Sequence, residues 1–274
     1  MRYVRWGAPG EETPGLLDAS GALRDLSTVI EDLAGHVLGD LPKVDANNLP
    51  VVSGYPRLGP PVAGDGKLIG FWLYITVHAL LPWIAFPQEP IVFMKATSSI
   101  CGPDDDVILP RGATQTDWEV ELGVGIGRTA KNITKADALA HVAGFTIVND
   151  VSERGWQFDR GGQWVKGKSA DTFAPTGPWL VTPEDIAEVQ DLALSLTLNG
   201  KEMQTGSTAR MVFDVAETIA YLSTLMSLHP GDIIATGTPP GVGMGQTPKR
   251  FLKDGDEMRL AITSLGAQHQ RVRQ

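Results

Sequence analysis

Between Thr116 and Gly127 the chain reads Thr-Asp-Trp-Glu-Val-Glu-Leu-Gly-Val-Gly-Ile-Gly, so that Val120, Leu122, Val124 and Ile126 alternate with Glu119, Glu121 and glycines. This period of two is the pattern of a β-strand with one buried face, because successive side chains leave a pleated strand on opposite sides. Residues two apart share a face, which puts Glu119 and Glu121 about 7 Å apart along the strand as neighbouring like charges. Such a pair is unfavourable unless its face is solvated or a cation lies between the two carboxylates. Both readings stand at this point. The next apolar run, His141 to Asp150, predicts a second strand that closes on Val148-Asn149-Asp150. A third carboxylate at a strand end would complete an all-oxygen donor set of the kind that takes Mg²⁺ or Mn²⁺.

With 274 residues the chain can bury a full core, and its length suits one large domain with a small extra one. Acidic residues outnumber basic ones by 32 to 23, for a formal charge of -9, and no basic cluster offsets the excess. Nucleic acid is therefore not an expected partner. The single cysteine, Cys101, rules out an internal disulfide and fits a reducing, cytoplasmic setting. No basic, apolar, cleavable leader opens the chain, and no repeat or low-complexity tract is visible. The glycines at 123, 125 and 127 are not a dinucleotide fingerprint, because their spacing is wrong and no strand–turn–helix surrounds them.

Residues 1–62 read as a small amino-terminal α+β lobe, and 67–274 as the main domain. The lobe predicts a strand from Arg2 to Gly7, a turn at Asp18-Ala19-Ser20-Gly21, and a short helix bearing Val29, Ile30, Leu33 and Val37 at helical spacing. The Pro/Gly-rich stretch Leu49 to Gly66 reads as a linker. Leu68 to Phe86 then runs nineteen residues without a formal charge, long enough for a membrane helix. Thr76, His78 and Pro82 interrupt it and no basic residue anchors its far end, so no membrane span is expected. Asp104-Asp105-Asp106 reads as a solvated turn, since adjacent side chains do not converge on one ion. Thr134 to Asp137 has the look of a helix start.

Arg154 and Gln157 follow Asp150 and lie on one side of the chain if the segment is helical. A guanidinium fork and an amide there suit a substrate carboxylate or carbonyl, although an arginine among acids also serves as an ion-pair partner. Lys168, in Gly167-Lys168-Ser169, would be held protonated by the carboxylates. It could stabilise an enolate oxygen as charge develops, or simply bridge a glutamate. Leu192–Leu198 followed by Asn199-Gly200 predicts a hairpin, and Asp214 to Met226 a helix. Asp232 to Thr236 is read as the last strand, delivering Gly237-Thr238-Pro239-Pro240-Gly241, where Thr238 offers a hydroxyl and an N–H.

The segments DWEVELGVGIG, GFTIVNDVSERGWQ, GQWVKGKSADTFAPTGPWLVT and GDIIATGTPPGVGMG resemble the fumarylacetoacetate hydrolase family, in order and spacing, from about Lys67 to the end. The likeness is to its bacterial acylpyruvate and diketo-deoxy-sugar-acid branch. It implies an α+β, mainly β fold: a mixed β roll or distorted sandwich with peripheral helices and a small leading lobe, assembled as a homodimer. It also implies Glu119, Glu121 and Asp150 as metal ligands, Arg154, Gln157, Lys168 and Thr238 as substrate contacts, and His78 and Lys168 as catalytic groups. The activity implied is divalent-metal-dependent hydrolysis of a carbon–carbon bond in a small β-diketo acid. The same enolate chemistry would serve an oxaloacetate-type decarboxylase or a keto–enol isomerase.

One segment departs from the family. Its Gly-Leu-Asn-Tyr-x-x-His-x-x-Glu lid is replaced here by Trp72, Tyr74, Ile75, His78 and Leu81 at the glycine, asparagine, tyrosine, histidine and glutamate positions. A diverged lid, an apolar substrate pocket and a compensated reading-frame error are competing readings. The loss of the glutamate also raises the reading of a metal-binding relative with impaired catalysis. From these replacements, Gly70 to Phe86 is expected not to form the family lid.

Overall fold

Alternating sequence becomes strand throughout the computed structural model, which describes residues 1–64, 66–72 and 89–274. The first part of the chain supplies β1 (Arg2–Trp6), β2 (Thr13–Leu17), β3 (Leu23–Asp25) and β4 (Leu58–Gly59). Next come β5 (Leu68–Trp72), β6 (Ile91–Lys95), β7 (Ile100–Cys101), β8 (Val107–Ile108), β9 (Thr116–Asp117), β10 (Val120–Ile126), β11 (Val142–Asn149) and β12 (Ser152–Glu153). Two short helices, α1 (Arg154–Phe158) and α2 (Val165–Lys168), precede β13 (Ala174–Val181), β14 (Ala193–Leu198) and β15 (Lys201–Ser207). Helix α3 (Val215–Leu225) leads to β16 (Ile233–Ala235), β17 (Glu257–Ile262) and β18 (Gly266–Arg273).

Among the described residues the main sheet has eleven strands, with the path β3-β2-β1-β13-β11-β10-β16-β5-β6 and β4 and β7 beside β1 and β13. A second sheet runs β15-β14-β17-β18-β8, and β9 pairs with β12 as a short ribbon. Val120, Leu122, Val124 and Ile126 of β10 share one core with Leu194, Leu196, Leu198, Met258, Leu260 and Ile262 of the second sheet. The fold is thus α+β and mainly β, a sandwich with few helices.

The opposite face of β10 is not solvated, and here the structure corrects a strand with only one buried face. Gly123, Gly125 and Gly127 occupy it, and a β-carbon on Gly127 would stand 2.4 Å from the Leu38 carbonyl oxygen. Leu38 belongs to a second core with Tyr3, Leu16, Leu33, Leu68 and Leu180, supplied largely by the first part of the chain. β1 pairs antiparallel with β13, Tyr3 opposite Leu180, so the amino-terminal strands extend the main sheet. β4 lies inside the expected linker and pairs with β1.

The helix expected over Val29 to Val37 does not form. Ile30 N–H bonds to Leu26 in a turn, and Gly35 at φ +52° starts only a 3₁₀ turn, Gly35–Gly39. Glycine takes that left-handed step at little cost, whereas a continuing helix would not. Thr134 likewise begins a 3₁₀ segment, Lys135–His141. Asp232 to Thr236 is not the last strand, because β17 and β18 follow. β18 hides from a pattern search because buried Gln268 and Gln270 hold inward positions that the pattern reserves for apolar residues. Of the long apolar run, Leu68–Trp72 is β5, with Leu68, Ile69 and Phe71 buried. His78, Leu81 and the expected lid from Tyr74 to Phe86 lie outside the described residues. Among the described residues, no helix is long and apolar enough to cross a membrane.

Candidate metal centre

The register of β10 on β11 sets Val120 opposite Asn149, and Asp150 N–H donates to the Glu119 carbonyl at 2.9 Å. That pairing carries Asp150 to the same end of the sheet as the two glutamates. One oxygen from each of Glu119, Glu121 and Asp150 lies within 4.8 Å of the others, and all three residues are buried. The solvated reading of the pair is excluded by exposures of 4 % and 1 % at Glu119 and Glu121.

Three cations converge on the trio. Lys168 at the end of α2 donates to Glu119 Oε2 at 2.8 Å and to Asp150 Oδ2 at 2.5 Å. Lys95 at the end of β6 donates to the other Asp150 oxygen at 2.5 Å and to the Val151 carbonyl at 2.9 Å. Arg154 opens α1 and spreads its guanidinium over Glu119 (2.6 Å), Asp117 (3.0 Å) and Gln157 Oε1 (3.1 Å). Glu121 accepts only from the Gly237 N–H among the described residues, at 2.8 Å.

These partners set the protonation states. Burial pushes the Glu121 carboxyl well above its ordinary value, and the charges of Asp150 and Glu119 add to the push. Burial would raise Asp150 too, but Lys168 and Lys95 outweigh it and hold the group at about 2. Burial opposes charge on Lys168, yet Asp150 and Glu119 carry its pKa above the usual lysine value. Lys95 has one carboxylate partner instead of two, so burial prevails and brings it down to about 8.

The residues present fit a divalent ion. Four buried carboxylates, those of Asp117, Glu119, Glu121 and Asp150, face three cations, Lys95, Lys168 and Arg154, which leaves one negative charge in excess. Glu121, with its raised pKa, is where a proton takes up that excess until an ion replaces it, and the donor set is oxygen alone, as Mg²⁺ and Mn²⁺ prefer. Asp104, Asp105 and Asp106 instead serve three separate partners, His269 N–H, Arg57 and Arg273.

Of the residues singled out in the sequence, Glu119, Glu121, Asp150, Arg154, Gln157 and Lys168 meet in this centre. Gln157 is fully buried, and its side-chain N–H₂ has no partner among the described residues. Thr238 stands beside Gly237, half-buried. Its hydroxyl donates to the Val120 carbonyl at 3.0 Å and accepts from Gln204 at 2.7 Å.

Two residues were missed. Lys95 follows Phe93 at a two-residue interval and, like it, points inward on β6, so a lysine at an apolar strand position was the signal. Asp117 extends the two-residue series of Glu119 and Glu121 one step back, in Asp-x-Glu-x-Glu. An apolar wall borders the centre: the Lys168 ammonium lies 4.6 Å from the centre of the Phe93 ring, which packs on Trp164 at 5.5 Å.

The chain matches the fumarylacetoacetate hydrolase C-terminal family over residues 75–273. A provisionally named hydrolase of Burkholderia cenocepacia is 54% identical over 279 residues, covering 100% of this chain and 99% of its own length. Among solved structures, a fumarylacetoacetate hydrolase from Exiguobacterium antarcticum is 33% identical, with a TM-score of 0.91 over 100% of this chain and 99% of that one. A maleylpyruvate hydrolase from Sphingobium sp. SYK-6, solved with manganese(II) and pyruvate, is 27% identical, with a TM-score of 0.83 over 100% and 99%. The chain therefore belongs to the fumarylacetoacetate hydrolase family, and the solved structures it resembles carry the names of hydrolases and isomerases.

Proposed function

We propose that this protein is a divalent-metal-dependent hydrolase that cleaves a carbon–carbon bond in a small β-diketo acid and releases a pyruvate-type product. The observation that carries the reading is the buried carboxylate trio, in which no cation pairs with Glu121 among the described residues, set beside a lysine and an amide donor that has no partner among those residues. Glu119, Glu121 and Asp150 would hold Mg²⁺ or Mn²⁺. When bound, such an ion supplies Lewis-acid polarisation of the substrate's oxo-acid oxygens.

The chain's own groups account for the rest. Arg154 and the Gln157 N–H₂, which has no partner among the described residues, orient the acid end together with Thr238. Lys168 is kept charged by Asp150 and Glu119 and presents its ammonium to the oxygen on which enolate charge develops. His78 is assigned the deprotonation of the attacking water, a role that falls outside the described residues. The working unit is proposed to be a homodimer, on family likeness alone, and its setting the cytoplasm, on the single cysteine.

Leu81 in place of the lid glutamate favours a second reading, because decarboxylation of an oxaloacetate-like acid or keto–enol isomerisation needs Lys168 but no activated water. The test is a panel of acylpyruvates and oxaloacetate assayed with Mg²⁺ or Mn²⁺. Metal-dependent release of pyruvate from an acylpyruvate is expected. Carbon dioxide from oxaloacetate alone would select the second reading. Metal binding with neither product would make the chain a non-catalytic relative.

A further inference from the structure

We infer that Asp117 is a positioning residue, which locks Arg154 to the Gly/Pro loop after β16 and so fixes the width of the site that receives the substrate's acid end. The inference rests on the proposed binding of an oxo acid. Asp117 is wholly buried. Its Oδ1 accepts from the N–H groups of Trp118 (2.9 Å) and Gly243 (2.6 Å), and its Oδ2 from Met244 N–H (2.9 Å) and Arg154 Nε (3.0 Å). Four donors saturate a carboxylate, so Asp117 has no lone pair to spare for an ion. It stands on the same two-residue series as the metal trio without belonging to it.

The loop it grips carries Thr238. Its near end is held by Gly237 N–H on Glu121 and by the Thr238 hydroxyl on Val120, and Gln204 braces Thr238 and Pro239 from β15. At its far end Asp117 is the charged tie. The loop has little room to adjust, since a β-carbon on Gly241 would stand 1.9 Å from the Met203 carbonyl oxygen and one on Gly243 1.8 Å from that of Arg250. Arg154 is held from the other side by Glu119. One carboxylate thus spans the two elements proposed to grip the substrate, Arg154 on α1 and the loop.

Asp117→Asn tests this at nearly constant volume. The amide oxygen can still serve two N–H groups, but its N–H₂ would confront the donors of Met244 and Arg154. In Mn²⁺-loaded protein, oxalate serves as the probe for the acid end. Its affinity is expected to fall by about tenfold or more, the scale of one lost charge-assisted contact. Mn²⁺ affinity should fall by less than oxalate affinity, because the ligands are untouched although one nearby buried negative charge is lost. KM should rise more than kcat falls, whereas loss of folded protein would lower kcat alone. Should Asp117→Asn not fold, Met244→Pro removes one loop donor and leaves the charge in place. It should weaken oxalate in the same direction. Unchanged oxalate affinity, or Mn²⁺ affinity falling in step with it, would overturn the inference. Wild-type protein that binds Mn²⁺ but no oxalate would refute the proposed function itself and take the Asp117 role with it.

Discussion

Glu121 is the residue on which the charge balance of the centre turns. Without an ion, burial and two neighbouring carboxylates raise its pKa, so uptake of a divalent ion must displace a proton from it. Mn²⁺ affinity is therefore expected to fall as pH is lowered and Glu121 becomes protonated. The binding heat should change with the ionisation enthalpy of the buffer, which calorimetry in two buffers would measure; equal heats would count against the displacement. Glu121→Ala should abolish Mn²⁺ binding yet leave the fold, because the Gly237 N–H it orphans costs about 1–3 kcal/mol, less than the roughly 5–15 kcal/mol that holds a domain folded.

Lys168→Met exposes the other side of the balance. It leaves Glu119 and Asp150 without the ammonium they share, so the metal-free variant should melt lower than wild type and gain more from added Mn²⁺. Turnover of the metal-loaded variant should drop by about 3 kcal/mol of transition-state stabilisation, on the order of 100-fold. Wild-type turnover would reduce Lys168 to an ion-pair role.

Local chemistry decides elements where it is strong. Asn199 and Gly200 both take positive φ, +51° and +77°, which a two-residue hairpin turn demands and which these residues tolerate. Asp214 caps α3 by accepting from Glu217 N–H at 2.7 Å. Asp214→Ala should cost about 1 kcal/mol in a urea unfolding curve with an unchanged slope, and no loss would refute the cap's contribution. Where local signals are weak, spacing misleads. Val29, Ile30, Leu33 and Val37 keep a helical interval, but the run is short and Gly35 breaks it, so a turn and a 3₁₀ segment win.

At the scale of the whole molecule, the first 62 residues cover the glycine face of β10 and supply much of the second core. Removing them would strip β1 from β13 and open the Leu38–Gly127 contact to water. A fragment spanning 63–274 is expected to be insoluble or molten, without a cooperative melt or Mn²⁺ affinity. A fragment that melts sharply and binds Mn²⁺ would show that the leading segment is dispensable.

The sequence alone determined the residues with distinctive local chemistry. Alternation fixed β10, a carboxylate at a strand end pointed to the buried carboxylate trio, Asn-Gly set the hairpin, and Asp214 set the helix cap. These follow from neighbours in the chain, so a one-dimensional pattern carries them. Only the tertiary structure decided that both faces of β10 are buried, that β18 continues the second sheet on glutamines, and that Lys95 and Asp117 join the centre. The Lys95–Asp150 pair spans 55 residues and the Asp117–Met244 bond 127. Partners so far apart leave no periodicity between them, and they are chosen by which buried charge needs a counterpart once the sheets close.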